Sequence, residues 1–126
     1  MKKSILIIED EELMRKALEE VLQEEGFETQ SAVDGEKGLN MICDGSYDLV
    51  ILDIILPKKD GFEVLRDLKK CKMDGKKNPP VVLLTNLNEA NDIQKALDLG
   101  AKTYLVKSNY QLKDIVKKIK EIINEK

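Results

Sequence analysis

The sequence predicts an α/β fold, a (βα)5 arrangement in which five parallel strands form one doubly wound sheet of order 2-1-3-4-5. Short apolar runs alternate five times with longer stretches of helical period. The chain has 126 residues, which suits a single domain over residues 1–126. Crossovers between parallel strands are right-handed, so few other topologies remain at this length, and the predicted order is flavodoxin-like.

The first half of the chain supplies two strand–helix pairs. Residues 5–8 form an apolar run that predicts the first strand, and a helix with one apolar face follows the acidic turn after it. Gly26 is placed to end that helix. Residues 27–32 predict a second strand, and Asp34 and Gly35 turn the chain into a short second helix.

The third pair lies at the centre of the predicted sheet. Residues 49–52 are an unalternated apolar run, which is typical of a parallel strand covered on both faces. Asp60 and Gly61 lead into the third helix, and a polar loop over 72–80 follows that helix.

Two further pairs complete the sheet. Residues 81–84 predict the fourth strand, and the helix after it ends at Gly100. Its apolar residues are Ala90, Ile93 and Leu97. Residues 104–106 predict a short fifth strand. The last helix is amphipathic, with an apolar face made by Leu112, Ile115, Val116, Ile119, Ile122 and Ile123.

Composition excludes several classes of function. The net charge is −3, aromatic residues make up 4% and tryptophan is absent, so direct nucleic-acid binding is not expected. Histidine is also absent, which excludes Ser-His and Cys-His nucleophile pairs and the commonest zinc ligand. No apolar stretch reaches the ~20 residues of a membrane span or the length of a signal-peptide core. Cys43 and Cys71 form no CxxC motif and are expected to be free thiols in a reducing cytoplasm.

Polar residues directly follow four of the predicted strands. Because the carboxyl ends of parallel strands meet at one edge of the sheet, these side chains are expected at a common site near the point where strand order reverses, between strands one and three. They are Glu9, Asp10, Asp53, Thr85 and Lys107.

The carboxylates of this set predict a metal site. Asp53 is the only polar residue within 49–56, and an unpaired buried carboxylate there would cost several kcal/mol. At ~4 Å and an effective dielectric constant of ~20, each like-charged pair among Glu9, Asp10 and Asp53 repels by about 4 kcal/mol. A cation relieves that repulsion, and an all-oxygen set without histidine or thiolate favours Mg²⁺.

The remaining two residues indicate phosphoryl chemistry. Lys107 offers a mobile positive charge and Thr85 a hydroxyl donor, and both suit the outer oxygens of a phosphoryl group. Asp53 is then a reasonable nucleophile for an aspartyl phosphate. The alternative for these residues is an Asp–Lys ion pair that has no chemical role.

These segments together resemble the receiver domains of two-component response regulators. Residues 5–11 resemble their first strand and acidic pocket, 49–61 (LVILDIILPKKDG) their phosphoacceptor segment, 83–85 their conserved hydroxyl and 104–107 their aromatic and lysine. The resemblance covers essentially the whole chain. It implies that Asp53 accepts a phosphoryl group from the phosphohistidine of a histidine kinase or phosphotransfer protein.

The resemblance also implies a role for each site residue. Thr85 and Lys107 would contact the phosphoryl oxygens, and Tyr104 would change rotamer as Thr85 moves inward. The face made by helix four, strand five and helix five would then bind an unknown downstream protein. Mg²⁺ would be held by Glu9, Asp10, Asp53 and the backbone carbonyl of Ile55.

Some positions differ from the family pattern. Glu9 stands where most relatives have Asp, which lengthens one ligand arm. Ser108 stands where a proline with a cis bond is usual, and the sequence leaves the state of that peptide open. Ile55 and Leu87 are apolar at positions that govern access of water to the phosphoryl group, so slow hydrolysis is expected.

The expected protein is a stand-alone signalling receiver without an output domain, because the chain ends at the fifth helix. It is expected to be a monomer or a weak, phosphorylation-dependent dimer that does not contact a membrane. It is not expected to be an enzyme, apart from catalysis of its own phosphorylation and dephosphorylation. Alternatives are a phosphorylation-independent interaction module, a flavin binder and a small aspartyl-phosphate phosphatase. The residues at 9–12 would repel the flavin phosphate, and Ile55 stands where the phosphatase has a second Asp.

Overall fold

The computed structural model of the protein describes residues 2–71 and 78–124. Five strands form one parallel sheet in the order β2-β1-β3-β4-β5, which confirms the predicted flavodoxin-like fold. The strands are β1 (Ser4–Ile8), β2 (Glu28–Ala32), β3 (Leu49–Leu52), β4 (Val81–Thr85) and β5 (Thr103–Val106). The helices are α1 (Glu12–Glu24), α2 (Gly35–Asp44), α3 (Gly61–Leu68), α4 (Ala90–Asp98) and α5 (Leu112–Ile123). The loop predicted over 72–80 lies outside the described residues as far as position 77.

Two apolar layers sandwich the sheet. Successive side chains of a strand point to opposite faces, so Ile5 and Ile7 pack in the layer that α1 and α5 cover. Leu6 and Ile8 pack in the other layer, with apolar side chains of α2 and α3. All four residues of β3 are buried, as the apolar run over 49–52 predicts for a central strand.

Helix α4 packs differently from the prediction. Its buried residue is Ala96, while Ala90 and Leu97 are exposed and Ile93 is half-buried. The apolar residues that the sequence indicated in this helix are therefore not the one that α4 buries. Periodicity counts apolar side chains, and it cannot tell which of two adjacent ones faces the sheet; here the small alanine lies inward and leaves Leu97 41% exposed.

The prediction of two free thiols is also wrong. Cys43, in the last turn of α2, forms a disulfide with Cys71, which ends a short 3-10 turn after α3, and their Cα atoms are 5.3 Å apart. Helices α2 and α3 lie side by side. Tertiary packing therefore joins two cysteines that are 28 positions apart in the chain, and spacing alone cannot show this.

Within the described ranges, no helix has the length and apolar character needed to cross a bilayer.

Candidate functional site

The carboxyl edge of the sheet brings the predicted site residues together. Glu9 and Asp53 directly follow β1 and β3, Thr85 ends β4, and Lys107 follows β5. The backbone N–H of Asp53 donates to the carbonyl of Ile8 at 3.1 Å, which fixes the start of its loop against β1. Glu9 is 2% exposed, Asp53 5% and Thr85 0%. Such burial of polar groups requires partners within the fold.

Lys107 is the partner of two buried carboxylates. Its Nζ lies 2.7 Å from Glu9 Oε1 and 2.8 Å from Asp53 Oδ2. The second oxygen of Glu9 accepts a hydrogen bond from the backbone N–H of Glu11 at 3.1 Å. The Lys107 ammonium is therefore shared between Glu9 and Asp53.

The electrostatics of this triad follow from burial and pairing. Burial raises the pKa of Glu9 despite the hydrogen bond from Lys107, and the nearby Asp53 charge acts in the same direction as burial. Burial alone would lower the pKa of Lys107, but its hydrogen bonds to Asp53 and Glu9 outweigh that effect and leave the pKa raised. The ammonium is thus held in its charged form by the two carboxylates.

The backbone after β3 orients the Asp53 side chain. Its Oδ1 accepts hydrogen bonds from the N–H groups of Ile54 at 2.7 Å and Ile55 at 3.3 Å. Its Oδ2 faces Lys107. Both oxygens are therefore held by donors, and the carboxylate has a defined direction at the sheet edge.

Three carboxylates in this edge could hold a metal ion. Glu9, Asp10 and Asp53 each offer an oxygen, and these atoms all lie within 4.8 Å of one another. Asp10 is exposed, which leaves a path from solvent to the cluster. The cluster carries three negative charges against the single charge of Lys107, and hard oxygen donors are the ligands that Mg²⁺ prefers. The residues therefore fit the predicted ion.

Two glycines shape the loop between β3 and α3 (residues 53–60). A Cβ on Gly61 would lie 2.6 Å from the carbonyl oxygen of Asp53, and one on Gly35 would lie 1.9 Å from that of Lys59. Neither distance leaves room for a side chain. The sequence indicated only that Gly35 lies in a turn and that Gly61 leads into a helix. The close approaches could not be predicted, because only the packing of the helices against the loop creates them.

Arg15 contacts the turn after β1, and the sequence did not suggest this interaction. From α1, its Nη1 donates to the backbone carbonyls of Glu9 at 3.2 Å and Asp10 at 3.3 Å. It therefore fixes the acidic turn after β1. Arg15 lies in the first turn of α1, close in sequence to Glu9 and Asp10. This proximity is the one feature of the sequence that could have indicated the interaction.

Thr85 and Tyr104 are linked through the loop after β4. The Thr85 hydroxyl accepts a hydrogen bond from the N–H of Leu87 at 3.4 Å, and the Tyr104 hydroxyl donates to the carbonyl of Leu87 at 2.6 Å. Burial, with the charges of Asp92 and Asp53, raises the pKa of Tyr104 to about 12. Tyr104 thus stays a hydrogen-bond donor at neutral pH.

The residues after β5 are hydrogen-bonded to the loop that follows β4. The N–H of Ser108 donates to the side-chain oxygen of Asn86 at 3.2 Å. The peptide bond between Lys107 and Ser108 is trans.

Comparison with known proteins agrees with this geometry. Residues 5–120 match the family described as the response regulator receiver domain. The transcriptional regulatory protein DltR of Streptococcus agalactiae is 37% identical over 103 residues, which is 82% of this chain and 44% of that protein. The transcriptional regulatory protein AfsQ1 of Streptomyces coelicolor is 38% identical over 104 residues, 82% of this chain and 44% of that protein. The chain spans about half the length of such curated relatives.

Solved structures show the same fold. A two-component response regulator from Clostridium difficile has a TM-score of 0.88 at 29% identity, over 98% of both chains. The response regulator TrrA of Thermotoga maritima, solved in complex with Mg²⁺-BeF, has a TM-score of 0.79 at 37% identity, over 94% of this chain and 97% of that one. From strand order, acidic edge and family match together, the chain belongs to the response regulator receiver domain family.

Proposed function

We propose that this receiver domain accepts a phosphoryl group on Asp53 from the phosphohistidine of a histidine kinase or phosphotransfer protein, in the cytoplasm and with Mg²⁺ as cofactor. The observation that carries the proposal is the environment of Asp53. Asp53 is 5% exposed, and its carboxylate is held by Lys107 and two backbone N–H groups and shares a cluster with two further carboxylates. A purely structural ion pair does not need the third carboxylate, whose repulsion it would have to bear.

In the proposed reaction an Asp53 oxygen attacks phosphorus. A P–O bond forms, the P–N bond to the imidazole breaks, and the ring nitrogen takes a proton. Glu9, Asp10, Asp53 and the backbone carbonyl of Ile55 would hold Mg²⁺, which would supply positive charge for the phosphoryl oxygens.

The chain's own donors complete the proposed phosphoryl site. Lys107 already carries its charge within 2.8 Å of Asp53 Oδ2, so it can follow the oxygens of a phosphoryl group placed there. The Thr85 hydroxyl can donate to another of these oxygens, because hydroxyl rotation is cheap. Both interactions are charge-assisted and strengthen as negative charge is added.

In the proposed conformational change, the backbone of Leu87 links Thr85 to Tyr104. A Thr85 hydroxyl drawn toward a phosphoryl group gives up its hydrogen bond from the Leu87 N–H, while the carbonyl of the same residue accepts from Tyr104. Movement of this loop therefore changes the position of Tyr104 on β5. The face of α4, β5 and α5, with Leu97 exposed on α4, then presents a different surface to a downstream protein.

Incubation with acetyl phosphate and Mg²⁺, followed by intact mass measurement, tests this function. The wild-type protein should gain the mass of one phosphoryl group, and Asp53→Asn should gain none. Asp44→Asn, a change of an exposed carboxylate in the last turn of α2, is the matched control and should behave as the wild type. A wild-type protein that stays unmodified, or an Asp53→Asn protein that is modified equally, contradicts the proposal and favours a phosphorylation-independent interaction module.

The phosphorylated form is expected to hydrolyse slowly. The Ile55 side chain is 58% exposed beside Asp53 and Leu87 lies in the loop after Thr85, and neither side chain can orient an attacking water. A double change, Ile55→Asn with Leu87→Glu, should shorten the lifetime of the phosphorylated protein by roughly tenfold or more. The measurement is the decay of the phosphorylated mass after removal of acetyl phosphate.

Leu97→Asn is the control for this prediction, because it also replaces an exposed apolar side chain but on α4. It should leave the lifetime unchanged. Equal lifetimes in the double variant and the wild type would remove these two positions from any role in hydrolysis.

A further inference from the structure

The disulfide stands at the opposite end of two helices from the acidic cluster. Cys43 lies in the last turn of α2, and Cys71 ends the turn that follows α3. Cys43 is exposed and Cys71 is half-buried. Surface grooves border the bond on two sides, one lined by Tyr47 and the other by Lys70. Both cysteines therefore line surface grooves that a thiol reagent can enter from solvent.

The first residues of the same two helices contact the loop of residues 53–60. At the start of α2, the N–H of Gly35 donates to the carbonyl of Pro57 at 3.3 Å, and at the start of α3, the N–H of Gly61 donates to the carbonyl of Ile54 at 2.8 Å. The Cβ clash distances at both glycines show that these contacts are close-packed. The disulfide therefore joins the C-terminal end of α2 to the turn that follows α3, while the N-terminal ends of the same helices contact the loop that carries Asp53.

Between the two ends, α2 and α3 share one apolar layer. Leu39 and Ile42 of α2 are buried in the same cluster as Leu65 and Leu68 of α3. Packed side chains transmit displacement, because interiors have low compressibility. Restraint applied at the disulfide can thus reach the loop through the helices.

We propose that Cys43 and Cys71 are a reversible thiol–disulfide site, and that the oxidised state restrains the loop of residues 53–60. In reduction, a thiolate of a dithiol reductant attacks one cysteine sulfur, the S–S bond breaks, and the other cysteine leaves as a thiolate that takes a proton. The second thiol of the reductant then attacks the first reductant sulfur in this mixed disulfide, the bonded protein cysteine leaves as a thiolate that takes a proton, and the reductant departs as a disulfide. Two electrons pass to the protein, and glutathione disulfide reverses the reaction.

Redox buffers of glutathione, with alkylation of free thiols and intact mass, measure the first part of the proposal. The protein should pass between a form that takes up no alkylating groups and a form that takes up two, and it should do so in both directions. Hydrogen exchange then compares the two forms without any phosphodonor. The backbone amides of residues 54–56 and 58–61 should exchange roughly tenfold faster in the reduced form, while those of α5 should not change.

The double variant Cys43→Ser, Cys71→Ser supplies the matched control, and it should exchange like the reduced protein in either buffer. The proposal is overturned if the wild-type cysteines stay reduced in excess glutathione disulfide, if they stay oxidised in excess dithiol, or if both wild-type forms exchange equally at residues 54–56 and 58–61. These readouts need neither metal nor phosphorylation. A failure here is therefore distinct from a failure of Asp53 to accept a phosphoryl group.

Discussion

Replacement of Lys107 by Met should lower the free energy of unfolding by about 3–5 kcal/mol at neutral pH. The ammonium lies 2.7 Å from Glu9 and 2.8 Å from Asp53, and both carboxylates are almost completely buried. Without the cation, two like charges remain in the fold with no compensating charge. Denaturant unfolding of the wild type and the variant in buffers without divalent ions measures the difference.

The effect should depend on pH through Glu9. Burial raises the pKa of Glu9 above its unfolded value, so the folded protein holds this proton more tightly, and the resulting stabilisation is present at low pH and is lost as pH rises through the folded pKa. Loss of Lys107 raises that pKa further. The variant should therefore be impaired more at about pH 7.5 than at about pH 5.

In the wild-type protein, the contribution of Lys107 to stability should be lost only at high pH. The pKa of Lys107 is raised by its hydrogen bonds, against the opposing effect of burial. Its contribution to stability is fully present below the unfolded value of about 10.4 and is lost only as pH rises through the folded pKa above it. In the wild-type protein this interaction should thus be constant across the neutral range.

Added magnesium and a control variant distinguish the loss of the compensating charge in Lys107→Met from a general loss of packing. Millimolar Mg²⁺ should restore part of the stability of Lys107→Met, because an ion that binds the folded state stabilises it by mass action. Lys118→Met, a change of an exposed lysine on α5, should stay within about 0.5 kcal/mol of the wild type. Identical unfolding midpoints for Lys107→Met and the wild type at neutral pH would mean that the triad is not formed in solution.

Gly35→Ala should lower the free energy of unfolding by about 2–3 kcal/mol. Alanine favours helix over glycine by at most ~1 kcal/mol, but its Cβ would lie 1.9 Å from the carbonyl oxygen of Lys59. That oxygen belongs to backbone, which cannot rotate away as a side chain can. The clash must therefore move either α2 or the loop of residues 53–60, and denaturant unfolding reports the cost.

The neighbouring position tests whether the clash is the cause. Glu36→Ala introduces the same residue at an exposed site of the same turn, and it should alter stability by less than about 0.5 kcal/mol. Equal or greater stability of Gly35→Ala would show that the loop does not press against α2 as described.

The strand order and the residues that meet at the carboxyl edge of the sheet could be predicted from the residues alone. Uninterrupted apolar runs such as 49–52 are typical of strands buried on both faces, and their alternation with amphipathic helices leaves few strand orders, of which 2-1-3-4-5 is the usual one at this length. Polar residues that directly follow β1, β3, β4 and β5 must then share one edge of the sheet. Asp53 was recognisable because a carboxylate inside an apolar segment requires a partner or a function.

Tertiary structure alone decided how these groups are paired and which contacts support them. It showed that Lys107 is shared between Glu9 and Asp53, that Ala96 rather than Leu97 faces the core, and that Cys43 and Cys71 are joined. The physical reason is that periodicity and burial act locally along the chain. Distances between side chains of different elements depend instead on how closely helices approach the sheet and each other, and this approach is set by the packing of the whole core.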